Sequence, residues 1–483
     1  MLTISKPLSA SQAQAYHSRE FTSAEQAYYS QQEQARGRWH GKLAEEWGLK
    51  DEVTAEQFIR LANGQHPVTR EQLVRHRESF QYQNENGETV KTMEHRAGWD
   101  ATFSAPKSVS LTALVGSDDR VRQAHRESVS AALDEMERFV QARIGGNHPA
   151  ETTGKWVAAR FEHDSARPVD GYAAPQLHTH VVFFNLTETD DGKNHAIQPQ
   201  ELYKTQQYAT AVYQAELGYR LKQLGYEIEV GKNSAPEIKG YSQEYLEVSS
   251  PRSRQIREHL KELGLEGAGP AQIAAHRTRD AKSPLRTEHM MERHRELADT
   301  FGNQAERVVA SALARGRQQH HSAAERQMLA KEAISYSRDR HMEREAVVDE
   351  RDMMRDALRR SRGETTFREV RETLDRRIWS GEFIQVDLEC SRPGKHLTTR
   401  EMLDYEQDNI AQMKAGQGTQ SLLVSEQNQR ELAGKFNHLS KNQSQAVAEI
   451  LSSRDQLMGL DGTAGTGKTL CLSAIREAAE REG

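Results

Sequence analysis

"PQLHTHVVFFN", residues 175–185, decides how the chain is read. Successive side chains of a strand point to opposite faces, so His178 and His180 share one face with Val182 and Phe184, about 7 Å apart along the strand. Both imidazoles can then reach one ion. Upstream, "KWVAARFEH" (155–163) alternates too and places Lys155, Val157, Ala159, Phe161 and His163 on a shared face. This predicts a second strand, antiparallel to the first and ending at His163. Three imidazoles would converge and leave positions open for a substrate oxygen, as a catalytic divalent cation requires. In a chain with 20 histidines a structural pair is as good a reading of the pattern alone.

Around this core the texture of the chain changes. The region to about residue 245 mixes strand-like runs with helical ones such as "RQAHRESVSAALDEMERFVQAR" (122–143), which reads as α+β. From about 250 to 380 the chain is dense in charge. There "RDMMRDALRRS" (351–361) and "TFREVRETLDRRIWSGEFIQVDLE" (366–389) predict two short helices and a strand, with "HLTTREM" (396–402) able to pair back as in a winged helix. The 71 acidic and 65 basic residues give a net charge of −6, so nucleic-acid binding would have to rest on local clusters. Two cysteines, Cys390 and Cys471, are too few for a disulfide framework or a thiolate metal site. A mean hydropathy of −0.84, no apolar run long enough to span a bilayer and no secretory leader predict a cytoplasmic protein without membrane insertion.

The most specific motif is "GTAGTGKT", Gly462, Thr463, Ala464, Gly465, Thr466, Gly467, Lys468 and Thr469, which fits the phosphate loop G-x-x-x-x-G-K-[ST]. "QLMGL" (456–460) precedes it as the expected strand, and "LCLSAIREAAE" (470–480) follows as the expected helix. Backbone N–H groups and the helix N-terminus would cradle the phosphates of ATP, Lys468 would reach the outer ones, and Thr469 would hold Mg²⁺. The acidic strand, water-positioning residue and arginine finger of a nucleotide motor normally lie further along. The expectation is a truncated motor domain that does not hydrolyse ATP.

"GWDATFSAPKSVSLTALVG" (98–116) is read as Asp100 ahead of a Ser/Lys-rich turn that leads into an apolar, β-branched strand. Ser104, Lys107 and Ser108 are suited to phosphate contacts, and Asp100 to accepting a hydrogen bond or a proton. "AYHSREFTSAEQAYYSQ" (15–31) sets Tyr16, Tyr28 and Tyr29 in a polar stretch whose simplest local reading is an amphipathic helix.

These four features, with "HRTRDAK" (276–282) and "LSKNQSQAVAEIL" (439–451), occur in one order that resembles the conjugative relaxases of the MobF class, the TrwC/TraI-like bifunctional relaxase-helicases. The resemblance implies an HUH-type relaxase domain with a central antiparallel sheet over 1–300. A helical and winged-helix-like connecting region over 301–425 and the start of a RecD-like P-loop α/β motor over 426–483 would follow. It implies Tyr16 as the first nucleophile, Tyr28 and Tyr29 as the second pair, and Asp100 as the carboxylate that assists the tyrosine or orients a metal-bound histidine. His163, His178 and His180 would hold a divalent metal, Mg²⁺ or Mn²⁺, with Zn²⁺ an option in purified protein. The implied partners are single-stranded and hairpin origin-of-transfer DNA, accessory relaxosome proteins and a type IV secretion coupling protein. A rolling-circle replication initiator shares this chemistry, and a histidine-metal hydrolase would dispense with the tyrosines.

Overall fold

The computed structural model describes residues 1–16, 37–50, 52–76, 81–83, 89–91, 94–265, 267, 274, 287–316, 321–361, 363–387, 393–425, 428 and 438–482. They form two compact units, Met1–Leu397 and Thr398–Gly483. Tyr28 and Tyr29 lie outside the described residues, as does all of "HRTRDAK".

Unit one is organised by a six-stranded antiparallel sheet. Its order is Leu2–Ile4, Arg96–Ser104, Pro175–Phe184, Ala158–Ser165 and Arg38–His40, with Leu8–Ser9 also paired to Arg96–Ser104. The histidine strand Pro175–Phe184 is therefore central and flanked on both sides. Alternation sorts its side chains between two cores. Leu177, Val181 and Phe183 join Trp99, Ala101 and Phe103 against the helices Asp119–Glu137 and Gln200–Gln223. Val182 and Phe184 face the other way, joining Ala159 and Phe161 against Ala13 of helix Ala10–Tyr16 and Phe58, Leu61 and Ala62 of helix Ala55–Ala62. Each buried aromatic on these faces contributes roughly 1.5–3 kcal/mol. The close approach of neighbouring strands depends on Gly98, because a Cβ there would stand 1.9 Å from the Phe183 carbonyl oxygen.

One element departs from its expectation. "KSVSLTAL" is not a strand: the strand is Arg96–Ser104, and Lys107–Leu114 is a helix that starts after Pro106. Every residue from Ser108 to Leu114 is buried. A helix covered on all sides shows no polar stripe, so its sequence carries no helical period to read.

The compact unit continues well past residue 300. Helices Glu350–Ser361 and Phe367–Trp379, then strands Phe383–Val386 and His396–Thr399, follow the helix-helix-hairpin order read from the sequence. The second hairpin strand returns to pair with Val348–Asp349, Val348 facing Leu397. A reciprocal capping box between Thr366 and Glu369 starts the second helix. Buried ion pairs join this module to the helices behind the sheet. Arg371 donates to Glu350 at 2.7 Å, to Glu135 at 3.0 Å and to the Tyr208 hydroxyl at 2.6 Å, while Arg351 donates to Glu201 at 2.6 Å. Removing one side of such a set strands a buried charge.

In unit two, helices Lys441–Ser452 and Lys468–Glu482 pack through Val447, Leu451, Cys471, Ala474 and Ala478. The expected strand "QLMGL" does not form: residues 456–460 are irregular and largely exposed. A strand of a parallel sheet needs a neighbour to take its N–H and C=O groups, and among the described residues that follow, the chain forms only a helix. Among the described residues, no helix is long and apolar enough to cross a membrane.

Candidate metal centre

His178 stands directly opposite His163 across the antiparallel pair, and His180 follows two residues on along the same face. The ring centroids lie 5.2 Å apart for His163–His178, 5.1 Å for His163–His180 and 5.2 Å for His178–His180. One ligand atom from each falls within 4.8 Å of the other two. Further along, the same face is lined by Phe161, Val182 and Phe184, so the imidazoles continue an apolar wall.

Neighbours decide which nitrogen each ring presents. The backbone oxygen of Gln176 can only accept, so His178 Nδ1–H donates to it at 2.9 Å, which leaves Nε2 with its lone pair. His180 Nδ1 lies 3.0 and 2.9 Å from the two oxygens of Asp100 and 3.2 Å from Thr102 Oγ1. The Nδ1–H donates to the carboxylate, which turns Nε2 outward, the arrangement that orients histidine ligands and raises their basicity. Burial, and then the neighbouring His180, push the His178 imidazole down to about 3. It is neutral at physiological pH, as a metal ligand must be. With the tautomers of His178 and His180 set by these neighbours and His163 opposite them, the three imidazoles suit a divalent cation, and uncharged ligands leave its charge unneutralised for an anionic substrate.

The strand behind His178 is deformed to achieve this. The register shifts between Pro175 and His178, a bulge that carries Gln176. Gln176 Nε2 donates to the Ala105 carbonyl at 2.8 Å and to Ser110 Oγ at 3.2 Å, and Lys107 Nζ donates to the Pro175 carbonyl at 2.7 Å. "SAPKSVS" thus serves as the clamp on the bulge. Burial pushes the Lys107 ammonium down to about 7, against the opposing pull of Glu237. Ser108, read as a phosphate contact, is fully buried; its hydroxyl donates to Glu237 and accepts from the Ile238 N–H at 2.9 Å, so it serves packing. Ser104 is half-buried and faces His178 in register, beside the imidazoles.

Asp100 is 9% exposed and held on His180. Tyr16 is the last residue of helix Ala10–Tyr16, whose Ala13 packs into the core on the histidine face. On the opposite face, His125 reaches Thr179, the residue between the two strand histidines: its Nε2 lies 2.9 Å from Thr179 Oγ1 and its Nδ1 2.9 Å from the Tyr213 hydroxyl. Arg122 Nη1 donates to Glu162 and Asp164, which flank His163, at 2.9 and 2.8 Å. Sequence reasoning missed Gln176, His125 and Arg122. Thr102 was missed as well, although its place two residues after Asp100 on the same face is a signal that could have found it; the others lacked any local signal.

The phosphate-loop segment is built differently. Gly465 and Gly467 adopt φ of 85° and 81°, and helix Lys468–Glu482 begins at the motif lysine. Lys468 Nζ donates to the carbonyls of Gly462 and Thr463, the latter at 3.2 Å, and Gln443 Nε2 donates to the Thr466 carbonyl at 2.9 Å. Thr463 to Thr466 and Thr469 are exposed.

The TrwC relaxase family matches residues 10–301, and an AAA domain matches residues 438–483. The chain is 36% identical over 242 residues to the multifunctional conjugation protein TraI of Escherichia coli, an alignment that takes in 47% of this chain and 12% of that protein. It is 34% identical over 243 residues to TraI of Escherichia coli strain K12, with 12% of that protein covered. The chain therefore spans about an eighth of the length of these curated relatives. Among solved structures it resembles the conjugative relaxase TrwC in complex with oriT DNA, metal-free (TM-score 0.51) and metal-bound (0.52), at 31% identity over 62% of this chain and 99% of that one. A copper-bound form of the same complex superposes with a TM-score of 0.53.

Proposed function

From the premise that this chain belongs to the TrwC relaxase family, we propose that it is a conjugative relaxase that nicks one strand of origin-of-transfer DNA and religates it on termination. The observation that carries the reading is the convergence of His163, His178 and His180 on the central sheet, with Asp100 on the outer imidazole. The relatives named as TrwC–oriT complexes, two of them metal-bound and another with a 27-mer DNA comprising the recognition hairpin and the cleavage site, support single-stranded and hairpin DNA as substrate and a divalent cation at the histidines.

His163, His178 and His180 would hold a divalent cation, Mg²⁺ or Mn²⁺, which when bound would supply positive charge against the negative charge of the phosphate oxygens. The chain's own residues do the rest. Tyr16 is the nucleophile: its phenolic oxygen forms a bond to phosphorus as the bond to the 3′ oxygen breaks. This leaves a 5′-phosphotyrosine and a free 3′-OH. The proton lost by the phenol is balanced by the one the 3′ oxygen gains. One phosphodiester replaces another, so the step needs no ATP and runs backwards as readily. Asp100 orients His180 and keeps its tautomer, and Ser104 is placed to meet the substrate beside the imidazoles. Tyr28 and Tyr29 are assigned a second transfer.

The remaining assignments follow the same reading. Residues 1–300 are the relaxase domain, 301–425 a connecting region, and 426–483 the start of a motor that binds ATP and Mg²⁺ at residues 462–469. Relaxosome accessory proteins and a type IV secretion coupling protein are its partners in the cytoplasm. The test is incubation of 5′- and 3′-labelled single-stranded origin DNA with Mg²⁺ or Mn²⁺, followed by denaturing electrophoresis, with Tyr16→Phe alongside. The expected product is a covalent protein–DNA adduct on the 5′ side of the nick that Tyr16→Phe abolishes. Absence of the adduct on the cognate strand, or full activity in Tyr16→Phe, overturns the reading.

A further inference from the structure

Two residues of an antiparallel ladder that face each other as a hydrogen-bonded pair exchange both of their N–H···O=C bonds. One step beyond the His178–Ser104 pair, the strands complete half of that exchange: Ala105 N donates to the Leu177 carbonyl at 3.0 Å. Pro106 then turns the chain out of the sheet into helix Lys107–Leu114, and side chains supply the return. Leu177 N donates to Ser110 Oγ at 3.1 Å, and the Ala105 carbonyl accepts from Gln176 Nε2 at 2.8 Å. Ser110 thus stands in for a strand partner that the fold has taken away.

Its hydroxyl is fully buried and used to capacity. It donates to the Pro106 carbonyl at 3.0 Å and accepts from Leu177 N and, at 3.2 Å, from Gln176 Nε2, which accounts for its one proton and two lone pairs. The Leu177 N–H is also one end of the planar peptide unit that joins Gln176 to Leu177, and the Gln176 carbonyl is the other end. That carbonyl accepts from His178 Nδ1 at 2.9 Å. In an unbulged strand the carbonyls point along the sheet to neighbouring strands. The register shift between Pro175 and His178 releases this one to meet a side chain. Fixing the N–H end of a rigid plane fixes the direction of its C=O. A single peptide unit therefore connects the Ser110 hydroxyl to the His178 imidazole.

We infer that Ser110 is a positioning residue of the metal centre: through the Gln176–Leu177 peptide it holds the carbonyl that keeps the proton on His178 Nδ1, and so keeps His178 Nε2 free to face His163 and His180. The Gln176 side chain is the second tether on the same peptide. Without the hydroxyl the peptide is free to turn, and His178 loses the acceptor that selects its tautomer and ring orientation. The inference rests on the reading of His163, His178 and His180 as metal ligands. A serine that served packing alone would act on stability and leave the imidazole of the folded chain unchanged.

The test uses the full chain with Ser110→Ala, Ser110→Thr, Gln176→Met and, as control, His178→Ala. Two quantities are read: Mn²⁺ affinity by isothermal titration, and the His178 tautomer in metal-free protein by NMR of ring-¹⁵N histidine, its signals assigned by their loss in His178→Ala. Ser110→Ala is expected to weaken Mn²⁺ about 10-fold, the lower end for an outer-shell partner, and to mix the two tautomers of His178. Ser110→Thr keeps the hydroxyl and should restore both readouts. Gln176→Met should weaken Mn²⁺ about 3-fold, near the lower end for one hydrogen bond, and it decides by the same readouts if Ser110→Ala does not fold. Native Mn²⁺ affinity in His178→Ala would sink the metal reading, and the His178 tautomer in metal-free protein would still judge the role of Ser110. A folded Ser110→Ala with a lowered melting temperature but native affinity and an unmixed tautomer overturns the inference, as do unchanged readouts in Gln176→Met where that variant decides.

Discussion

The histidine centre and the phosphate loop are both short motifs, yet the chain builds them to different standards. The histidines stand on the middle strand of a six-stranded sheet, with both faces covered and each flanking strand supplying a partner. Asp100 comes from one neighbour, His163 from the other, and the bulge at Gln176 is clamped by a third element. The phosphate loop is largely exposed, is preceded by irregular chain, and has its lysine bonded to the loop's own carbonyls. A motif supplies the atoms of a site. The surrounding scaffold supplies their orientation, and low dielectric makes that orientation count.

Experiments that break or sharpen this contrast fall in order of size. The double change His178→Ala and His180→Ala removes two donors at once and is expected to lower nicking by about 10³-fold, in line with several kcal/mol of lost charge stabilisation. Isothermal titration of the variant with Mn²⁺ should show binding lost as well. Retention of nicking would mean that the imidazoles are structural.

The support behind the strand can be probed by acid. Burial pushes the His125 imidazole down to about 4. A depressed histidine pKa means that the unfolded chain takes up the proton first. Its contribution is therefore complete above pH 6.5 and is lost as pH falls from 6.5 towards 4, by about 3 kcal/mol in all. His294, also pushed down to about 4 by burial, shifts stability in the same direction. The His125 part is the difference in urea-unfolding free energy between the native chain and His125→Gln across that window; identical pH profiles would refute it.

Asp100→Asn keeps the shape of the side chain but removes the charge that fixes the His180 tautomer. The expected loss is about 10–100-fold in metal affinity or nicking, the usual cost of an outer-shell partner, with an unchanged melting temperature. Excess metal should recover part of the activity; a melting temperature that falls in step with activity would assign Asp100 to folding instead. Smallest of all, Lys468→Ala should leave nicking of labelled origin DNA unchanged within error. A clear loss would show that nicking depends on the phosphate-loop segment, contrary to a transfer step that needs no ATP.

The two motifs also differ in what their sequences conceal. Alternation in "HTHVVFF" and "VAARFEH" needs only the pleat of a strand, so the face that His178 and His180 share, and the face that ends at His163, are each legible without a structure. The same holds for Thr102, which inherits its face from Asp100. Gln176 is hidden because a bulge resets the alternation, and His125 because its partner Thr179 is 54 residues away and on the opposite side of the sheet. Ser108 and "SVSLTALV" mislead for a related reason: burial on every side erases the polar stripe that would mark a helix and hides a serine that looks solvent-facing.

By itself, then, the sequence determined the α+β class, the histidine face, the phosphate-loop motif and the order of features that marks a relaxase. Each rests on spacing within one segment, and backbone geometry sets that spacing locally. Only the tertiary structure decided that His163 stands opposite His178, that Asp100 turns His180, that Lys107 and Ser110 clamp a bulge, and that a helical module beyond residue 300 is tied to the helices behind the sheet by Arg351 and Arg371. Those are contacts between segments far apart in the chain. They are selected by which faces can be buried together and which buried charges can be paired, and no single segment carries that information.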